Sequence, residues 1–281
     1  MEQTPQFFEA RQKMCRNNFE IFHYRDKQPG CVELHHHDFY EIYFFLGGDV
    51  EYRVEGKSYR LQRGDLLLIN PMELHQPMVM SGSKTYERIV LWINRDYLVS
   101  QDIELSRCFA PAHKNLLRPS REQFRGICVK IDNLIRERRD NAIGSEICAT
   151  GIFLQLMVEL NRMALQADSQ GQEAQSLTEQ VVAYIGRHYR EPLSLDGLAK
   201  SFFVSKYHLS HKFTQATGVS VYRYIVMKRL QAARQLLLDG YTPKDAFVQS
   251  GFGDYANFYR AFHRAYGVTP QMFVEKSTTT I

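Results

Sequence analysis

Four side chains in the N-terminal third could do chemistry together: His35, His37, Glu41 and His75. An extended chain from Cys31 to Phe45 places His35, His37, Phe39, Glu41, Tyr43 and Phe45 on one face, because successive strand residues point to opposite sides. His36 then faces the other way. The later run GDLLLINPMELH carries His75 past a second strand opened by a glycine. Imidazole with carboxylate suits a divalent metal such as Zn, Ni, Mn or Fe. An ion with open coordination positions could activate water or oxygen. Without metal, the same groups would orient a small-molecule effector by hydrogen bonds, with Tyr43, Phe45 and Trp92 among the pocket walls. A third reading leaves the histidines with a structural role.

The elements that must position these groups are strands. HHHDFYEIYFFL, VEYRVEGKSYRL and LLLIN are short runs broken by Gly/Asp turns, as in a small barrel or sandwich. Val50, Tyr52 and Val54 alternate with Glu51, Arg53 and Glu55, the pattern of a half-exposed strand. From Ser120 the period lengthens. Phe124, Ile127, Ile131, Leu134 and Ile135 recur at helical steps behind Ser120 as N-cap, and a more apolar helix is expected over Ser145–Leu165. QADSQGQEAQS, residues 166–176, reads as a linker. The expected fold is α+β: a β-barrel effector domain over 1–119, a helical dimerisation segment over 120–165, and an all-α domain over 177–281. Ile127, Ile131, Leu134 and the helix around Leu154 are too apolar for a solvated connector. Part of that stripe should cover the barrel and part should pair two subunits as a homodimer.

The C-terminal part carries a repeat. TGVS at 217–220 recurs as YGVT at 266–269, and at the same offset Leu209 matches Phe258, His211 matches Arg260 and Phe213 matches Phe262. Each copy reads as a short helix, a tight turn and a longer helix ending at glycine, which is the helix-turn-helix unit. Gly251 falls in the second turn, where a left-handed backbone would need it. Thr178 is expected to cap the first helix and Ser194 the next, and a long helix should run from about Val221 to Leu238. Charge agrees with a polyanion partner. Residues 177–281 hold 13 Lys/Arg against 7 Asp/Glu, a net of +6, while residues 1–176 hold 22 against 24, a net of −2. On the first recognition helix, Leu209 and Phe213 face the core and leave Ser205, Lys206, His208, His211 and Lys212 for double-stranded DNA. On the second, Phe258 and Phe262 face the core and leave Tyr255, Asn257, Arg260, His263 and Arg264. Arg can contact guanine, and Asn adenine, with two hydrogen bonds each. Lys212 and Arg264 are better placed for phosphate.

Composition narrows the class. No run approaches the ~18 apolar residues of a membrane span, and the N-terminal MEQTPQFFEARQK lacks the apolar stretch of an export signal. A cytoplasmic protein without membrane partner is expected. The five cysteines (Cys15, Cys31, Cys108, Cys128, Cys148) form no Cys-x-x-Cys pair and read as reduced thiols.

The segment Leu177–Phe273 resembles the DNA-binding domain of the AraC/XylS family of bacterial transcription regulators. SLDGLAK, LSHKF, TGVS and QSGFGDYANFYRAFHRAYGVTP carry the resemblance. It implies two helix-turn-helix units, each presenting a helix to the major groove, no enzymatic activity, and RNA polymerase as a further partner. The chain departs from the family pattern at His211, Thr214, Phe247 and Ala256, while Arg260 keeps it. The bulky Phe247 is expected to tilt the second unit or weaken its binding. His-x-His-x-x-x-Glu followed by Gly…Pro…His resembles the ligand pattern of cupin barrels over about residues 20–95. The AraC resemblance implies that such a barrel serves as a metal-free effector pocket, for a sugar or other metabolite. A divalent metal in the barrel is the alternative, and a metal-dependent cupin enzyme with a helical appendage is the rival function.

Overall fold

The structure, a computed structural model, describes residues 13–27, 32–80, 85–110, 114–140, 142–168 and 175–278. They divide into two compact units, one within residues 1–54 and 58–174 and one within residues 55–57 and 175–281. Cys31 and most of the expected linker, residues 169–174, lie outside the described residues.

The first unit holds the strands β1 (Phe19–Asp26), β2 (Tyr40–Gly47), β3 (Val50–Val54), β4 (Lys57–Arg60), β5 (Leu66–Ile69), β6 (His75–Val79), β7 (Tyr86–Ile93) and β8 (Leu116–Leu117). The pairings β1–β7, β2–β7, β2–β5, β5–β8 and β3–β6 are antiparallel. Among the described residues the expected barrel is not closed. The ladders form one five-stranded sheet, β1-β7-β2-β5-β8, and one three-stranded sheet, β4-β3-β6. An isolated bridge joins His35 to His75, the first residue of β6. Closure needs a continuous staggered ladder, and β4 and β8, with four and two residues, are too short to carry one around.

The larger sheet is buried on both faces, which is why β5 and β7 read as nearly unbroken apolar runs. One face meets the smaller sheet through Tyr24, Tyr43, Phe45, Tyr52, Leu67, Val90 and Trp92. The other face, including Phe19, Ile42, Phe44, Leu66 and Leu91, is covered by helices. These are α1 (Arg95–Gln101), a 3-10 helix (Ile103–Phe109), α2 (Arg121–Asp140) and α3 (Ser145–Asp168). Ser120 caps α2 as expected, with Gln123 bonding back to the Ser120 amide in a capping box. The stripe Ile127, Ile131 and Leu134 is buried together with Phe153, Leu156 and Leu160, and Phe19 stacks on Phe153 with ring centroids 4.5 Å apart. The helices at 120–165 therefore share one core with the sheet, and the boundary expected at 119/120 does not separate two cores.

The second unit is all helix: α4 (Leu177–His188), α5 (Leu195–Ser201), α6 (Lys206–Thr217), α7 (Val221–Leu238), α8 (Pro243–Gln249), α9 (Tyr255–Tyr266) and α10 (Pro270–Thr278). Ser176, not Thr178, caps α4, and Thr178 is buried instead. Ser194 caps α5 as expected. α6 and α9 both end at left-handed glycines, Gly218 and Gly267.

Candidate effector site and nucleic-acid interface

The inward face of β2 and β7 gathers the candidate effector residues. Glu41 pairs with Trp92 across the ladder, so the two side chains stand side by side on one face. The indole Nε1 of Trp92 donates to Glu41 Oε2 at 2.8 Å, and the Tyr52 hydroxyl donates to Oε1 at 3.5 Å. His37 Nε2 lies 3.3 Å from Glu41 Oε2. The His37 ring stacks on Phe39 and stands 4.7 Å from the His75 ring, which is 4.3 Å from the His35 ring. The expected parity thus holds, although β2 begins only at Tyr40. His35, His37, Glu41, Tyr43, His75 and Trp92 all reach one interior.

That interior is dry. His75 is 0% exposed, Glu41 6% and His37 5%. Burial holds the imidazoles of His75 and His35 below their ordinary range, with neighbouring histidines adding to it. Burial alone would push Glu41 up. Hydrogen bonding and charge from His37, then His35 and Trp92, outweigh it and leave the carboxyl below its ordinary value. Further along the same face, the Tyr43 and Tyr86 hydroxyls bond each other, and the buried Arg88 pairs with Asp26 and lies over the Tyr86 ring at 4.0 Å. Sequence spacing does not single out Tyr52, Tyr86, Arg88 or Asp26. Strand parity could have found Arg88, since residues 88, 90 and 92 share a face, but nothing local marks Asp26 as its partner.

In the second unit, α5 and α6 form one helix-turn-helix and α8 and α9 the other. Both turns enter left-handed backbone, at Phe203 (φ 55°) and Gly251 (φ 83°). Leu209, Phe213, Phe258 and Phe262 are fully buried. Lys206, His208, His211, Lys212, Tyr255, Asn257, Arg260, His263 and Arg264 are all exposed. Ser205 is exposed, yet its hydroxyl caps α6 by accepting from the His208 amide at 3.1 Å. Arg260 donates to Asn257 Oδ1 at 2.6 Å, so these two side chains are already aligned on one face. Lys206 pairs with Asp196 at 2.5 Å; an exposed pair of this kind is weak and free to exchange for phosphate. Tyr207, 81% exposed and stacked on His211, and Tyr259, 41% exposed, stand on the same helices and were not singled out. Their signal is the four-residue step from Tyr207 to His211. Phe247 is half-buried and packs against Tyr255 and Phe258 with centroids 5.3 and 5.9 Å away, so an aromatic cluster takes up its bulk. No helix among the described residues is long and apolar enough to cross a membrane.

Residues 17–126 match the AraC-like ligand binding domain, and residues 198–276 match a helix-turn-helix domain. Among curated proteins, the chain is 27% identical over 222 residues to an uncharacterized HTH-type transcriptional regulator, YbfI, of Bacillus subtilis, covering 78% of both chains. It is 24% identical over 247 residues to the HTH-type transcriptional activator RhaS of Citrobacter koseri, covering 84% of this chain and 85% of that one. Among solved structures it aligns with ToxT from Vibrio cholerae at 14% identity over 94% of this chain and 99% of that one, with a TM-score of 0.40, too low to bear on the fold. These relatives are regulators, not enzymes, which removes the support for a cupin enzyme. The paired helix-turn-helix units and the ligand-binding sheets agree: the chain belongs to the AraC/XylS family of bacterial transcription regulators, binding DNA with its C-terminal unit and a small effector with its N-terminal one.

Proposed function

We propose that the two recognition helices read successive major grooves on one face of a specific operator. Lys206, His208, His211 and Lys212 serve the first groove, Tyr255, Asn257, Arg260, His263 and Arg264 the second, and Ser205 acts mainly as a cap. The observation that carries this reading is the common outward face of these polar residues over four fully buried apolar ones. The linking helix α7 has 18 residues, about 27 Å at 1.5 Å per residue, which suits grooves roughly one helical turn apart. A sugar or similar hydroxylated metabolite in the sheet interior, held by His35, His37, Glu41, Tyr43, His75 and Trp92, shifts the balance between arrangements that bind DNA well and poorly. Regulation by such a protein takes place in the cytoplasm, on a homodimer that meets RNA polymerase at the promoter. Pairing falls to the outer faces of α2 and α3, where Val129, Ile147 and Leu165 are exposed. A groove of about 620 Å³ beside them is lined by Lys130, Leu154, Val158 and Arg162.

Binding-site selection tests the DNA assignment. Arg260→Ala should cost about 1–3 kcal/mol and relax preference at one base position, while Lys212→Ala should weaken all sequences alike and flatten the salt slope by about one. Both variants keeping the parental consensus and affinity would refute it. Sedimentation of a monomer at micromolar concentration, with and without DNA, would refute the dimer.

A further inference from the structure

Two cores meet along α7. Tyr224 stands edge-on to Phe213 of the first recognition helix, with ring centroids 5.4 Å apart. Leu230, Ala233 and Leu237 are instead buried with Phe258 and Phe262 of the second. Arg229 falls between these two stretches of the helix. It is half-buried, and its guanidinium reaches back to the end of α4. There Nε donates to the Tyr189 carbonyl and Nη2 to the Glu191 carbonyl, both at 2.8 Å. The Tyr189 carbonyl needs a donor, because a helix leaves its last carbonyls without an intrahelical partner. α6 and α9 end in left-handed glycines, whereas α4 ends at Tyr189 in right-handed backbone. A cation at this place also meets the negative end of the helix dipole.

The same turn meets the second helix-turn-helix directly. Gly251, between α8 and α9, approaches so closely that an added Cβ would sit 2.6 Å from the Arg190 Cα. α4 for its part packs on α6, the first recognition helix. Residues 189–191 therefore form a second connection between the two helix-turn-helix units, beside the covalent one through α7. The covalent one alone leaves an angle open. Long helices bend, and α7 gives way to α8 at Gly240, whose backbone is left-handed (φ 87°) and where a Cβ would meet nothing within 4 Å.

We propose that Arg229 is a positioning residue that fixes the angle between α6 and α9, so that the protein selects operators by the separation of their two half-sites as well as by their bases. The proposal rests on the reading that both helices enter successive major grooves. Arginine suits the task, since its planar fork reaches two carbonyls at once where the compact ammonium of lysine does not. Each inserted base pair turns one half-site by roughly 35° relative to the other. Two units braced at 189–191 do not follow that rotation without breaking the bonds to Arg229.

The test is selection from random duplex DNA, run in parallel with the full parental chain, Arg229→Ala and Arg229→Lys. Affinities are then measured on the parental consensus with one base pair added to or removed from the spacer. The parent should return two half-sites at one spacing and prefer it by at least about tenfold, the worth of one charge-assisted hydrogen bond. Both variants should return the same half-site bases at a spread of spacings, with most of that preference lost. A merely structural role would lower affinity for every spacer alike and leave the ratio unchanged. Arg229→Lys keeps the charge and the stem, so it decides the matter if Arg229→Ala fails to fold. Equal ratios in all three proteins, or a parent indifferent to spacing, would overturn the proposal while leaving the groove reading intact. A parental consensus without two half-sites would refute the groove reading itself, and this proposal with it.

Discussion

Gly251 offers a graded test of how the second helix-turn-helix is built. Its φ is 83°, and a Cβ there would sit 2.6 Å from the Arg190 Cα and 2.8 Å from the Arg190 and Tyr189 carbonyl oxygens. All three are backbone atoms just past the end of α4, so no side chain can swing aside. A left-handed L-residue costs about 1–2 kcal/mol, and an overpacked contact adds about 1–3 kcal/mol. Gly251→Ala should therefore cost roughly 2–5 kcal/mol. Gly240 shares the left-handed backbone, φ 87°, but its Cβ would meet nothing within 4 Å. Gly240→Ala should then cost only the conformational part, about 1–2 kcal/mol. Gly253 has neither feature, and Gly253→Ala should be neutral or stabilise by about 0.4–1 kcal/mol through the unfolded chain. Urea unfolding of the full chain, followed by far-UV ellipticity, gives the ranking. Operator affinity should fall for Gly251→Ala, because the turn sets the angle at which α9 is presented. If Gly251→Ala is no worse than Gly240→Ala, the packing of this turn against the end of α4 is not what the second unit depends on.

Further outcomes follow from the first unit. Asp26→Ala should destabilise it by about 3–5 kcal/mol, because the buried Arg88 loses its ion-pair partner; a loss under 1 kcal/mol in the Trp92 unfolding transition would contradict this. Cys15 and Cys148 are exposed and should react with a thiol reagent in the native protein. Cys108 is buried, which pushes its thiol up to about 12, and it should react only after denaturation; native labelling of Cys108 by mass spectrometry would contradict its placement. His37→Ala should abolish the effector response and leave operator binding of the unliganded protein intact, whereas a loss of both would mark His37 as structural.

The helical unit was legible in the sequence to within a residue or two at most boundaries. Its signals are local. The step between Leu209 and Phe213 repeats at Phe258 and Phe262, hydroxyl or carboxylate caps open α4 to α9, and glycines end α6 and α9, so periodicity and capping chemistry suffice. The Thr178 cap was misplaced because Ser176, two residues earlier, offers the same hydroxyl. What lay between helices was also readable where one backbone conformation demanded glycine, as at Gly251.

In the first unit, strand parity alone determined that His35, His37, Glu41 and Tyr43 face one way. It could not determine what they face. Pairing joins Glu41 to Trp92, and packing sets His37 against His75, across sequence separations of 51 and 38 that no local pattern encodes. The ion pair of Arg88 with Asp26 and the open ladder between two sheets were likewise decided by tertiary structure. So was the fate of the α2 stripe, since an apolar helical face records that it must be covered but not by what. The sequence determined which groups exist and which side each takes. The fold decided which lone pairs meet in the dry interior, because burial and hydrogen-bond satisfaction depend on neighbours that only three-dimensional packing supplies.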